Sequence, residues 1–266
     1  MLSKTARIAG DIEAHLAAAG RIVRTWPSQD SHCVSYAVEE AGRHFFVKHS
    51  SHPRGIESLR RAITVNAAIQ HQALPRLHTT IDTPDGLALV YDLVPGELLR
   101  HAENPAACER FGRLPVPRTI AALDTIYDVH VKLADRGFIA VDLYDGCFIY
   151  DFDAGRMYLC DLDEYRRGPF VLEQQRLPGS TRFMSPEEFV RGSVIDQVSN
   201  VFTLGRCAMV LLGDKTGRPE SWRGPEAMKQ VVVRATSADR SRRQQSVARF
   251  VDEWRAVCRP GRGDRP

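Results

Sequence analysis

The sequence predicts an α+β protein: a small antiparallel β lobe with one helix, followed by a larger, mainly helical lobe. Three observations carry this. Residues 21–92 read mostly as short strands separated by turn residues. From residue 117 on, the chain turns largely helical. Between the two stands Pro95-Gly96, a pair that ends regular structure. We therefore read 1–266 as one domain, with 1–92 as the first lobe, 97–258 as the second and 259–266 as a frayed tail. A ligand-binding cleft is expected where the lobes join, near residues 92–96.

Residues 4–19 read as a short amphipathic helix ended by Gly20. A strand follows at 21–25, then a hairpin of 33–39 and 43–49 across Glu40-Ala41-Gly42. Pro53 opens a helix whose apolar face carries Ile56, Leu59 and Ile63. Strands at 77–81 and 87–91 flank the turn Pro84-Asp85-Gly86. In the second lobe a long helix spans 117–136 and stops at Gly137. A loop, a short hairpin over 148–160 and an irregular segment with Pro169 and Pro178 come next, then helices at 186–191, 197–212 and 246–257.

Composition excludes several function classes. An apolar fraction of 43% and a charged fraction of 26% are those of an ordinary globular protein. The net charge is +3 and the basic residues form no block, which argues against nucleic acid as a partner. No apolar run approaches the ~18 residues of a membrane span, and the first residues lack the apolar core of a secretory signal. The six cysteines are scattered without a C-x-x-C pair, so reduced thiols in a cytoplasm are expected, not zinc or disulfides. Short runs such as Arg60-Arg61 and Arg242-Arg243 read as solvated helix faces.

Chemistry concentrates between Asp142 and Glu187. One carboxylate can orient a hydroxyl and a second can hold Mg²⁺ on the same phosphate, and the hairpin between Asp142 and Asp161 brings their loops together. Lys48, ending the apolar run Phe45-Phe46-Val47, can neutralise phosphate oxygens. Plainer readings exist for each: a surface lysine, a loop cap at Asp142, a turn cap at Asp161.

In their order these segments resemble the protein kinase superfamily, over most of the chain. The resemblance implies a bilobal kinase-like fold that transfers the γ-phosphate of Mg-ATP to a protein hydroxyl, with Mn²⁺ as a possible substitute. It implies that Lys48 meets the α- and β-phosphates and pairs with Glu57, the one acidic residue between Lys48 and Asp82. Val34 would cover the adenine, backbone groups of Asp92 and Val94 would meet its edge, and Tyr91 would stand behind it. Asp142 takes the catalytic position and Asp161 the metal position, followed by Leu162-Asp163 in place of Phe-Gly. Gly179-Ser180-Thr-Arg-Phe-Met-Ser185-Pro186-Glu187 resembles the end of an activation segment. Ser180 would lie near Asp142, and Glu187 would form a buried ion pair with Arg243. Asn200 stands where an aspartate is usual.

Four departures stand out. Residues 27–34, which would cover the phosphates, contain no glycine. Ala140-Val141 replaces the histidine and arginine before the catalytic aspartate, and Tyr144 replaces lysine. Cys147 stands where an asparagine would hold a second metal; a thiol suits Mg²⁺ poorly, and Asp145 is the substitute on offer. The readings that follow are a Ser/Thr protein kinase-like enzyme, a pseudokinase that binds nucleotide or protein, and a small-molecule kinase.

Overall fold

The structure, a computed structural model, describes residues 1–27 and 32–258. Its described residues form an α+β fold with a five-stranded antiparallel sheet and seven α-helices. By contacts the chain divides into one unit of Met1–Pro95 with Asp161–Glu164, and a second of Gly96–Cys160 and the chain from Tyr165 on.

The first unit holds α1 (Ile12–Ala19), β1 (Arg21–Trp26), β2 (Val34–Glu40), β3 (Arg43–Ser50), α2 (Pro53–Ala68), β4 (Leu77–Asp82) and β5 (Leu87–Asp92). The strands are ordered β1-β2-β3-β5-β4. The β2–β3 hairpin turns on Ala41 and Gly42, both at positive φ as a two-residue I′ turn requires. Alternation along β3 decides what each face carries. Phe45 and Val47 join Ile81, Ala88 and Val90 in the core under α1, where Ile12 and Leu16 are buried. Leu87 and Leu89 of β5 face the other way and pack with Leu59 and Ala62 of α2. Lys48, one residue out of phase with Val47 and paired with Leu89, falls on that second face.

The helix expected over 4–19 is shorter than its pattern. Asp11 caps α1 by accepting from the Ala14 N–H at 2.9 Å. The residues before it run extended instead, with the Ile8 N–H donating to Asp82 O and the Asp82 N–H to Ala6 O. A long-range pairing has won over local propensity.

The second unit contains β6 (Glu97–Leu98), α3 (Pro105–Gly112), α4 (Val116–Asp135), β7 (Phe138–Ile139), β8 (Phe148–Asp151), β9 (Arg156–Leu159), β10 (Arg166–Arg167), β11 (Phe170–Val171), β12 (Val194–Ile195), α5 (Gln197–Leu211), α6 (Glu226–Ala235) and α7 (Val247–Cys258). β6, β8 and β9 make a three-stranded sheet, and β7–β10 and β11–β12 are two short pairs. The segment expected as a helix at 186–191 is a single 3-10 turn, Pro186–Phe189. The core forms around α4 and α7: Phe250 and Trp254 stand edge-on to Tyr127, with centroids at 5.1 and 5.2 Å. No helix among the described residues is long and apolar enough to cross a membrane.

His130 of α4 is buried in this core. A carbonyl only accepts, so Nδ1 donates to Ile126 O at 2.8 Å and Nε2 accepts from the Tyr165 hydroxyl at 2.9 Å. Burial pushes its pKa down from 6.5 to about 4. The unfolded chain takes up that proton first, so stability falls as pH drops from 6.5 to 4, by up to about 3 kcal/mol. Urea unfolding at pH 7 and pH 4.5 checks this: the wild type loses stability over that interval, and His130→Gln removes this part of the loss.

Candidate functional site

In the first unit, the chemistry gathers on Lys48. Residues 113 positions apart meet there: its Nζ donates to Asp161 Oδ1 at 2.8 Å. Asp163 Oδ2 lies 2.5 Å from the same nitrogen. That second contact lacks hydrogen-bond geometry, since this oxygen is without a hydrogen-bond partner, and we read it as a direct charge contact. The side chains of Lys48 and Asp163 are 9% and 7% exposed, while that of Asp161 is 40% exposed. Burial alone would lower the pKa of Lys48, but the Asp161 and Asp163 carboxylates outweigh it and hold it above the ordinary lysine value. Asp163 moves up as well: burial raises it more than Lys48 lowers it, and the Asp161 charge adds to the rise. Of the two carboxylates, Asp161 is the one that solvent and cations reach, and Asp163 backs the ammonium from inside.

Glu57, expected as the partner of Lys48, is not. It lies just off the buried stripe of α2 formed by Gly55, Ser58, Leu59, Ala62 and Val65. Its side chain is 73% exposed and pairs with Arg61 one turn on, at 2.8 Å. Arg61 in turn is no solvated charge. Its Nε donates to Asp163 O at 2.9 Å and a terminal nitrogen to Glu164 Oε1 at 2.6 Å. Ser58 Oγ donates to the same Glu164 oxygen at 2.7 Å. The i, i+3 spacing of Ser58 and Arg61, in register with Leu59 and Ala62, was the sequence signal for this contact.

The residues expected around a base lie on neighbouring strands. Val34, expected over the base, is not placed for it: it opens β2 half-buried, packs against the core under α1 and pairs across to His49, so strand alternation puts it on the face opposite Lys48. Asp92 ends β5; its N–H donates to Arg76 O at 3.0 Å, so that amide is already engaged. Its carboxylate meets His78 Nε2 at 2.6 Å. The Leu93 N–H donates to His44 O, and Val94 follows, half-buried. Tyr91 shares a hydrogen bond with Asn66 of α2. Of the glycine-free stretch 27–34, residues 28–31 lie outside the described residues, as does the tail at 259–266.

In the second unit, Asp142 sits in the loop after β7, half-buried, at φ 60. Asp161 is at φ 63. A non-glycine residue in the left-handed region is uncommon, and such strain gathers at functional positions. The Asp142 loop is tied down from two sides. Asn200 of α5 accepts from the Ala140 N–H and donates to Ala140 O, both at 2.7 Å. The Cys147 thiol donates to Asp142 O at 3.3 Å. An aspartate at 200 could make the first of Asn200's bonds but not the second.

Cys147 is fully buried, and a thiol turned to a backbone carbonyl is no ligand for Mg²⁺. Asp145, the other expected metal ligand, is 5% exposed and its carboxylate is held by Arg182 at 2.7 Å. Both metal expectations are corrected by the same fact: this turn is closed by internal bonds. Tyr144 lays its ring over Gly146, where a Cβ would come within 2.3 Å of the ring. Gly179 sits against the Asp142 loop: a Cβ there would lie 3.5 Å from Asp142 Oδ1, and its φ of +142 already favours glycine. Ser180 is the next residue, half-buried, and its carbonyl accepts from the Phe183 N–H at 2.9 Å.

Beyond it, Glu187 and Arg243 form a two-pronged pair, Arg243 donating at 2.7 and 3.1 Å from a fully buried side chain. Ser199 Oγ donates to Glu187 at 2.8 Å, and Arg240 approaches the same oxygen at 3.4 Å. Burial would raise the Glu187 pKa, but the bonds from Arg243 and Ser199 bring it below the ordinary value. Its neighbour Glu188 has no such arginine, and burial lifts it to about 7. Among the described residues no three His, Cys, Asp or Glu side chains gather as a metal site. No family model matches this chain, and no curated protein does.

Proposed function

We propose that this protein is a protein kinase-like phosphotransferase that moves the γ-phosphate of Mg-ATP to a serine or threonine hydroxyl of a protein. The observation that carries the reading is the 2.8 Å contact of Lys48 with Asp161, two residues singled out separately by their chemistry. Lys48 binds the phosphate oxygens, and the backbone of Asp92 and Val94 meets the edge of the base. In the transfer, the hydroxyl oxygen attacks the γ-phosphorus and its proton passes to Asp142. The bond from that phosphorus to the β–γ bridging oxygen breaks, and ADP leaves with the electron pair.

A magnesium ion, when bound, neutralises charge on the β- and γ-phosphate oxygens. Asp161, 40% exposed, would offer a hard carboxylate oxygen to one such ion. The closed turn at Asp145 and Cys147 does not fit a second. The Glu187–Arg243 pair supports a protein substrate, because it anchors the segment on which a peptide would rest. The reading includes a bilobal kinase-like arrangement and a cytoplasmic setting.

A nucleotide-binding module without transfer is the second reading, favoured by the loss of Asp145 to Arg182. One experiment separates them: Mg-ATP labelled at the γ-phosphate, with a generic protein acceptor, wild type against Asp161→Ala. Label transferred by the wild type alone is the expected result. A nucleotide-dependent rise in melting temperature without transfer supports the binding module. Neither effect sinks both.

A further inference from the structure

The ion pairs around Lys48 run with opposite polarity from the one expected, and this has a functional meaning. The helix α2 has a single acidic residue, Glu57, which is solvent-facing and pairs with Arg61. What α2 presents to the Asp161–Glu164 turn is a cation: Arg61 holds the Asp163 carbonyl at 2.9 Å and the Glu164 carboxylate at 2.6 Å, with Ser58 on the same oxygen. The turn brings the anions. Asp163, buried, touches the Lys48 ammonium at 2.5 Å and lies one residue from Glu164. An unbroken chain of contacts therefore runs from α2 through Arg61, Glu164 and Asp163 to the Lys48 nitrogen. All of these residues lie in one unit.

Charge explains why the helix does not supply a carboxylate. Lys48 and Arg61 carry two positive charges, and Asp161, Asp163 and Glu164 three negative ones. The cluster is already one negative charge in excess, as suits a site that admits a divalent cation. A further buried carboxylate from α2 would add repulsion and desolvation with no cation left to offset it.

We propose that Asp163 is the positioning residue for Lys48, and that Arg61 and Glu164 clamp it to α2 in place of a helix glutamate. A displacement of α2 is then felt at the lysine through the turn. This rests on the phosphotransfer reading for its purpose, but the clamp itself can be tested without activity.

The test uses the full chain with two readouts: the rate at which acetic anhydride labels the Lys48 amine, followed by mass spectrometry, and the dissociation constant for Mg-ATP. Arg61→Glu and Glu164→Arg are each expected to speed Lys48 labelling and weaken Mg-ATP binding, both about tenfold. The double variant Arg61→Glu/Glu164→Arg, which restores the 61–164 ion pair with reversed polarity but not the bond to the Asp163 carbonyl, recovers part of the loss in both readouts. Glu57→Gln moves neither. Asp163→Asn speeds labelling, and Asp163→Glu recovers part of the protection; this pair decides the matter if the charge reversals fail to fold by circular dichroism. The proposal is overturned if the double variant is no better than the singles, if Glu57→Gln matches Arg61→Glu, or if Lys48 labelling ignores Asp163. Should the wild type not bind Mg-ATP at all, the phosphotransfer reading falls, and the labelling arm alone still decides the clamp.

Discussion

Under the proposed phosphotransfer, Asp142→Asn is expected to lower the transfer rate by about 10²- to 10⁴-fold, the range for losing a positioned proton acceptor, while the expected Mg-ATP-dependent rise in melting temperature stays at the wild-type size. Asparagine is the informative replacement because it tolerates the left-handed backbone that Asp142 adopts at φ 60. A valine there would strain the loop and confuse lost chemistry with lost structure. The loop has other supports that the change leaves alone, since Asn200 holds Ala140 and Cys147 meets the Asp142 carbonyl, not its carboxylate. Transfer assayed at saturating Mg-ATP, beside a thermal shift with and without nucleotide, separates the two effects. A rate within threefold of wild type would remove Asp142 from the reaction.

Glu187→Gln is expected to cost about 3–5 kcal/mol of stability, the usual loss when a buried charge is left without its partner. Arg243 is fully buried, and its remaining acceptors are the carbonyls of Ser237, Val198 and Ala238. These are dipoles, not a counter-charge. Chemical denaturation measures the loss directly, and a drop of roughly 10 °C in melting temperature should accompany it. Replacing both partners, as Glu187→Leu with Arg243→Met, recovers most of the difference because no charge is then stranded. If the single variant unfolds like the wild type, the pair is not holding the segment.

Much of this was legible in the sequence, for identifiable reasons. The strands and the long helices show their periods locally, so residues 33–49 read as a hairpin and α4 as a helix from pattern and punctuation alone. Helix α6 was missed: it spans only Glu226–Ala235 and buries just Met228, Val232 and Ala235, three residues at helical spacing behind the turn-like Gly224-Pro225. The pairing of residues 6–8 with Asp82 was equally hidden, since nothing local encodes a partner so far along the chain. At the site, Lys48, Asp142 and Asp161 stand out as residue types suited to phosphate chemistry, and the Glu187–Arg243 pair was implied by the resemblance. Charge partners were harder. Glu57 is the acid nearest Lys48 in the stretch up to Asp82 and Asp145 the one close to Cys147, but partner choice depends on which side of a helix or turn each carboxylate faces. One residue of rotation sent Glu57 to solvent, and Arg182 reached Asp145 from 37 positions away.

The Asn200 anchor has a consequence for the conditions under which the Asp142 loop keeps its place. Glu188 changes charge near neutrality, and the ion pairs of Arg240 are partly exposed and therefore weakened by added salt. The Asn200 amide has no proton to gain or lose in that range and no net charge for ions to screen. The loop that carries Asp142 thus hangs on a peg indifferent to acid and to ionic strength, while the segment beside it responds to both.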